Sequence, residues 1–289
     1  MKSFVVLALL AFAVCNDTIN QKFVNKLKQI APYDVYEPEE NPFRDWTDEE
    51  IDNMLGTKIL NVEPKHKEVN IEINDGYDFR KSHPQCNLRI RDQARCGSCW
   101  AFGGVMALQQ RYCKKKGEKV ELAPQDPVSC DKGNMACNGG WLHVLWKYLR
   151  DTGCVKESCF PYSSGNGKVE KCITKCKNGE AFKKYKTNGF DNFNNANAIK
   201  RDLAANGPLE TQFTVYADFM SYRGGIYVHK YGGRRGGHAV AVVGYGTENG
   251  VNYWICQNSW GANWGERGYF RIKMGEVGID SNAFGGHPI

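Results

Sequence analysis

A two-lobed α+β fold, one lobe rich in helix and the other an antiparallel sheet or barrel, is predicted by three features of this 289-residue chain. The first is a long apolar-periodic run, Trp100 to Cys113, with a second at Trp141 to Arg150, both at helical spacing. The second is a change of texture near Tyr185. Beyond it the chain is built from short β-branched and aromatic runs bounded by glycines, such as His238 to Tyr245, Tyr253 to Gln257 and Tyr269 to Lys273. The third is the crowding of ten cysteines between Tyr77 and Lys184, which marks the helical half as the cross-linked one.

Taken in order, the chain opens with Lys2 and an unbroken apolar run, Phe4 to Val14. The run is too short to span a bilayer but fits the apolar core of a secretory signal, with cleavage expected near Cys15. The mature chain then enters an oxidising compartment in which most of the remaining eleven of the 12 cysteines can pair. Ile19, Phe23, Leu27 and Ile30 line one face of an amphipathic helix over Ile19 to Ile30. A Pro-rich acidic stretch follows through Pro32, Pro38 and Pro42. Thr47 with Glu50 three positions on then makes a capping box, opening a short helix that ends near Gly56.

Charge divides the chain at about the same place. From Lys2 to Glu72 eight Lys and Arg face thirteen Asp and Glu, a net −5, whereas the rest carries 30 against 19, a net +11. An acidic leading segment precedes a basic body. The Lys114-Lys115-Lys116 run reads as a solvated helix C-terminus, and no basic tract is interleaved with aromatics in the manner of a nucleic-acid surface. No stretch after residue 14 is apolar enough to cross a membrane.

The chemistry gathers at Gln93-Ala94-Arg95-Cys96-Gly97-Ser98-Cys99-Trp100. Cys99 stands at a helix N-terminus, where unpaired N–H groups and the helix dipole favour a thiolate. A C-x-x-C pair at such a place is also compatible with thiol-disulfide exchange or with half of a zinc site. The Cys-Gly-Ser-Cys-Trp motif resembles the signature around the nucleophile of the papain and cathepsin proteases, the cathepsin B-like branch in particular, and the resemblance runs from about Tyr77 to the C-terminus. It implies a papain-like fold with the active site in the cleft between the lobes.

By that resemblance Cys99 is the nucleophile and His238 the base. His238 follows the bare Gly236-Gly237 and precedes a core strand, and its separation of 139 residues from Cys99 suits the family. Asn258, in Gln257-Asn258-Ser259-Trp260-Gly261, is expected to orient the imidazole, with Trp260 shielding that bond, as Cys-His-Asn does in papain-like proteases. Gln93 is expected to donate to an oxyanion together with the Cys99 backbone N–H. Family members usually carry Gly where this chain has Ala94, a change that is harmless only if residue 94 has negative φ. Gly139 and Gly140 would let a peptide main chain lie close, and Trp141, Leu142, Gln212, Ala239 and Asn282 would line the S2 pocket. Asn282 replaces the glutamate that accepts P2 arginine in cathepsin B, so apolar or small P2 side chains are expected.

The family pattern also implies the pairs Cys86–Cys113, Cys96–Cys137, Cys130–Cys172 and Cys159–Cys176, leaving Cys154 and Cys256 unmatched. With Cys96 so occupied, Cys99 is the free member of its pair. Between Cys159 and Cys172 the chain lacks the histidine-bearing loop that blocks one end of the cathepsin B cleft, which points to an endopeptidase. Met54-Leu55-Gly56-Thr57-Lys58 resembles the end of a cathepsin B-like prosegment that runs extended through the cleft. The expected organisation is a signal peptide over 1–15, a propeptide over 16–72 and a peptidase domain over 73–289. The mature N-terminus falls within 70–74, and protonation of the acidic segment would release activity.

The implied product is a monomeric secretory zymogen, vesicular (lysosome-like or vacuolar) or extracellular. It has protein and peptide substrates, its own propeptide as inhibitor, no cofactor or metal, and no nucleic-acid or membrane partner. The rival readings are a thiol-disulfide oxidoreductase and a catalytically inactive binding homologue. The first lacks a βαβ context, and the second should lack Cys99, His238 or Asn258.

Overall fold

A computed structural model describes residues 17–32 and 34–289; the expected signal peptide lies outside the described residues. The helices are α1 (Gln21–Ile30), α2 (Asp48–Met54), α3 (Phe79–Ser82), α4 (Cys99–Lys116), α5 (Gln125–Cys130), α6 (Leu142–Asp151) and α7 (Ala196–Asn206). The strands are β1 (Tyr77–Asp78), β2 (Thr187–Phe193), β3 (Leu209–Tyr216), β4 (Ile226–Tyr227), β5 (Arg234–Glu248), β6 (Val251–Gln257), β7 (Tyr269–Lys273) and β8 (Ala283–Pro288).

The helical half is organised by α4. Every residue from Cys99 to Cys113 is buried, the apolar ones in the core and the polar ones through hydrogen bonds, Gln109 accepting from Leu122 N–H, Gln110 donating to Gln257 and Arg111 to Asp202 and the Pro208 carbonyl. Gly103 and Gly104 let the buried Glu210 side chain of β3 approach the helix backbone, where a Cβ would come within 2.9 Å of its carboxylate oxygens. Gly117, at φ 68°, ends the helix, and Lys114 to Lys116 fill its last turn as the dipole favours. On the far side α6 contributes Leu142, Leu145, Trp146 and Leu149 to the same core. The disulfides join Cys86 to Cys113, Cys96 to Cys137, Cys130 to Cys172 and Cys159 to Cys176, all within this half. Cys99, Cys154 and Cys256 are free and buried.

The second half is one eight-stranded sheet in the order β2-β8-β3-β5-β6-β7-β4, with β1 paired to β5. It is antiparallel except where β4 pairs parallel with β7. The sheet does not close, which corrects the barrel alternative. Its last strand, β4, is two residues long, and the opposite edge, β2, is taken by Lys65 of the N-terminal segment, bridged antiparallel to Asn192.

The N-terminal segment folds on this body. Asn20 caps α1 through Phe23 N–H, and the Thr47–Glu50 capping box starts α2 as the sequence predicts. Beyond a small cluster of its own, Val24, Leu27 and Val35, the segment borrows its core: Ile19, Phe43, Ile51, Met54 and Leu55 belong to the cluster that holds Phe219, Trp260 and Trp264. Past α2 the chain runs extended, with Asn192 clamping it. The Asn192 side chain accepts from Lys65 N–H at 2.8 Å and donates to the Glu63 carbonyl at 2.8 Å.

Ala94 has φ 49°, in the left-handed region. The condition under which alanine is harmless there is not met. Its N–H donates to Asp92 Oδ1 at 2.8 Å, which holds the turn in place. A left-handed alanine costs about 1–2 kcal/mol, of which the looser unfolded chain of a glycine variant returns roughly half. Ala94→Gly, in a Cys99→Ser background to prevent self-digestion, is expected to stabilise the protein by about 0.5–1 kcal/mol in chemical denaturation; a lower stability than the parent would contradict the strain.

Candidate active site

Cys99 is the first residue of α4. No side chain caps that end, because the Ser98 hydroxyl is spent on Tyr162 Oη at 2.9 Å. The N-terminal field therefore falls on the thiol. His238 and Ala239 lie on β5, and the Ala239 N–H faces the Cys99 sulfur, so the sheet presents its histidine strand directly to the end of the buried helix. His238 is completely buried, and its Nε2 lies 2.7 Å from Asn258 Oδ1. The Trp260 ring covers the imidazole at 4.5 Å between centroids. The Asn258 oxygen also accepts from Ser259 N–H, which fixes the amide orientation and assigns the imidazole proton to Nε2. His238 Nδ1 is buried without a hydrogen-bond partner.

The Gln93 side chain is locked from both ends. Its Oε1 accepts from Ser259 Oγ at 2.7 Å, and its Nε2 donates to the carbonyls of Cys96 and Met54, both at 2.9 Å. The Met54 carbonyl belongs to the N-terminal segment, so the donor expected to meet an oxyanion already holds a peptide oxygen.

That segment fills the groove. Gly140 N–H donates to Gly56 O at 3.0 Å and Lys58 N–H to Gly140 O at 2.9 Å, while Thr57 N–H donates to Gly237 O at 3.0 Å. The pairing is parallel on both walls. It depends on bare backbone: a Cβ would fall 2.1 Å from Gly56 O at Gly139, 2.1 Å from Thr57 O at Gly237, and 1.9 Å from Gly97 O at Gly56. Thr57 Oγ1 consequently rests 3.0 Å from Cys99 Sγ.

Burial drives the Cys99 thiol upward in pKa, against the opposing pull of the Thr57 hydroxyl and nearby backbone N–H groups. It also pushes His238 down to about 4, with the Asn258 bond opposing. Both shifts favour an uncharged thiol and imidazole while the segment is docked.

Of the residues expected to form the S2 pocket, Gln212 and Ala239 are direct cross-strand neighbours on β3 and β5. Gln212 Nε2 and Asn282 Nδ2 converge on one carbonyl, that of Leu60, at 2.9 and 2.6 Å. Trp141 and Leu142 follow Gly140 directly, at the start of α6. Sequence reasoning missed Asn192, Arg95 and Arg235. Each grips the N-terminal segment, and the only hint was placement: Arg95 touches the cysteine motif, and Arg235 precedes Gly236-Gly237-His238.

The family model for papain family cysteine proteases matches residues 73–287. The chain is 49% identical over 220 residues to cathepsin B-like CP3 of Giardia intestinalis, covering 73% of this chain and 74% of that one. It is 33% identical over 273 residues to cathepsin B of Dictyostelium discoideum, covering 84% and 88%. Among solved structures, procathepsin B S9 of Trypanosoma congolense superposes with a TM-score of 0.87 at 28% identity, covering 94% of this chain and 99% of that one. Digestive procathepsin L 3 of the Tenebrio molitor larval midgut gives 0.75 at 26% identity, covering 91% and 86%. The chain belongs to the papain family of cysteine proteases, in its cathepsin B-like branch, and is folded here as a zymogen.

Proposed function

We propose that residues 73–289 are an endopeptidase in which Cys99 attacks the peptide carbonyl, His238 carries the proton and Asn258 orients the imidazole. The observation that carries this reading is the buried, partnerless Nδ1 of His238, with Nε2 anchored on Asn258, on the strand whose Ala239 N–H faces the Cys99 sulfur. With the prosegment gone, water and substrate enter, and the thiol proton passes to Nδ1. The thiolate then bonds to the scissile carbonyl carbon while Gln93 Nε2–H donates to the oxyanion. The imidazolium gives its proton to the leaving amine as the C–N bond breaks, forming a thioester. Water, deprotonated by the same imidazole, attacks the thioester and releases the acid and the thiol.

The reversed prosegment explains why it survives in the cleft. The Gln93 donor holds the Met54 carbonyl, whereas the sulfur faces the Thr57 hydroxyl and the Gly56 N–H, so no one peptide carbonyl meets both nucleophile and oxyanion donor. We place the propeptide at 16–72 and the start of the mature chain within 70–74. The zymogen is assigned to the secretory route, to lysosome-like or vacuolar vesicles or the exterior, with a monomeric product. Among the described residues no helix is long and apolar enough to cross a membrane.

Cys99→Ala and His238→Ala are each expected to lower kcat of the matured enzyme by about 10⁴-fold or more, and Gln93→Ala by about 10²-fold. Steady-state kinetics on a fluorogenic peptide check this, and near-normal turnover in either of the first two variants would contradict the roles.

In the proposed S2 pocket Gln212 and Asn282, which both donate to the Leu60 carbonyl, are neutral carboxamides where a P2 cation would need a carboxylate. In a library of quenched peptides blocked at both ends, internal cleavage with Leu or Val favoured over Arg at P2 is expected. Preference for Arg, or progressive loss of C-terminal dipeptides alone from unblocked peptides, would contradict it.

Acid release runs through particular carboxylates rather than through total charge, which refines the expectation from the sequence. Glu50 is held below its ordinary pKa, chiefly by the Thr47 N–H and also by Arg95. The Thr47 contact lies within the prosegment and stabilises α2, whereas the Arg95 contact holds α2 to the body; both are present above the free carboxylate pKa and fade as pH falls through the lowered one. Asp52 is raised by burial, with Arg235 opposing, so protonation favours docking there and works the other way. Glu50→Gln should flatten the acceleration of zymogen conversion between pH 7 and 4, and Asp52→Asn should steepen it. Identical pH profiles for the two variants and the parent would contradict this assignment.

A further inference from the structure

Arg95 and Arg235 stand on opposite walls of the groove. Arg95 lies four residues before Cys99 on the loop that leads into α4, and Arg235 three residues before His238 at the start of β5. Between them sits α2 of the prosegment. Glu50 Oε1 is 2.7 Å from Arg95 Nε, and the Arg95 guanidinium also lies over the Trp46 ring at 4.5 Å. Asp48 and Asp52 reach Arg235 at 3.1 and 2.7 Å, and Arg235 Nη2 donates to the Asp48 carbonyl as well. Among the described residues, every ion pair of these two arginines is made to the prosegment.

The side of the groove follows from the path of the chain. Lys58 and Leu60 engage Gly140, Gln212 and Asn282, which the protease reading gives to the acyl side of a substrate. Met54 and α2 lie on the other side of Cys99, toward Trp260 and Gln93, where the leaving-group half would run. When the prosegment departs it takes Asp48, Glu50 and Asp52 with it. Two guanidinium groups are left facing that half of the groove without the anionic partners they have here.

We propose that Arg95 and Arg235 form a carboxylate-binding site on the leaving-group side of the cleft. In the mature enzyme it selects substrates that carry a carboxylate within a few residues after the cut bond, and α2 occupies it in the zymogen by presenting three carboxylates of its own. The proposal rests on the protease reading and adds a specificity to it. The carboxylate has two sources, an Asp or Glu side chain or the C-terminus of the substrate, and the chemistry at the arginines is shared.

Three quenched peptides with one common acyl half separate these cases: a neutral leaving-group half ending in an amide, the same half with one Glu and an amide end, and a neutral half ending in a free carboxylate two residues after the cut. With the matured enzyme at low salt, one or both carboxylate peptides should show kcat/KM about fivefold above the neutral amide. High salt should erase the difference. Advantage for the Glu peptide alone assigns the side chain as the source, and advantage for the free-acid peptide alone assigns the terminus.

Arg95→Glu and Arg235→Glu should each abolish or reverse the preference while leaving the neutral peptide within about twofold of the parent. Arg95→Gln and Arg235→Gln, milder in their demands on folding, should abolish it. Equal kcat/KM for all three peptides with the unaltered enzyme overturns the proposal, and so does a uniform loss across all three peptides in the variants. Continued cleavage of the neutral amide would in either case leave the protease reading standing.

Discussion

The structure depends on a main-chain grip that, on the proposed subsites, runs opposite to a substrate. Gly56, Thr57 and Lys58 lie between Gly140 on the helical wall and Gly237 on the sheet wall, paired parallel to both. Backbone hydrogen bonding is indifferent to side-chain identity, so the groove can hold its own prosegment with the contacts it would use on a substrate. The direction of the chain decides the outcome. It brings a hydroxyl, rather than a carbonyl carbon, against the sulfur.

On the proposed roles, the same occupancy accounts for a dormant Cys99 and His238. Cys99 and His238 are each completely buried, and desolvation disfavours the charged form of both. The helix N-terminus that would favour a thiolate is in place, but its influence competes with a dry enclosure. Asn258, Trp260 and Gln93 are already set, and the proposed oxyanion donor, Gln93 Nε2, is satisfied by the Met54 carbonyl. Activation, on those proposed roles, requires removal of the segment and formation of one contact not made here, that of the Cys99 thiol with His238 Nδ1. The acidic surface of that segment is matched to basic residues of the body: Glu50 with Arg95 and Asp48 and Asp52 with Arg235 beside the groove, and Glu40 with Arg223.

Much of this was legible from local patterns, and the limits of legibility are physical. The Thr47–Glu50 capping box, the strand Tyr269–Lys273 and the buried helix after Cys99 each carry their signal within a few residues. The open sheet was not readable, because closure depends on which strands meet at the edges, and β4 is only two residues long. Ala94 could be flagged as unusual, but its positive φ is set by a turn that spans Asp92 and the long-range contact of Arg95 N–H with Gly165. Asn192, which reads the prosegment main chain from a sheet edge, has no local signature. The same holds for Arg95 and Arg235, whose partners are 45 to 187 residues away in sequence.

The central claim is that the docked prosegment keeps the proposed nucleophile and base, Cys99 and His238, uncharged and inaccessible. Its most direct measure is the rate at which a small neutral alkylating agent modifies Cys99 at neutral pH, followed by mass mapping in the intact zymogen and after prosegment removal. The account predicts a rise of about a hundredfold or more on removal, as the thiol gains solvent, thiolate character and its imidazole partner. Equal rates in the two forms would contradict it.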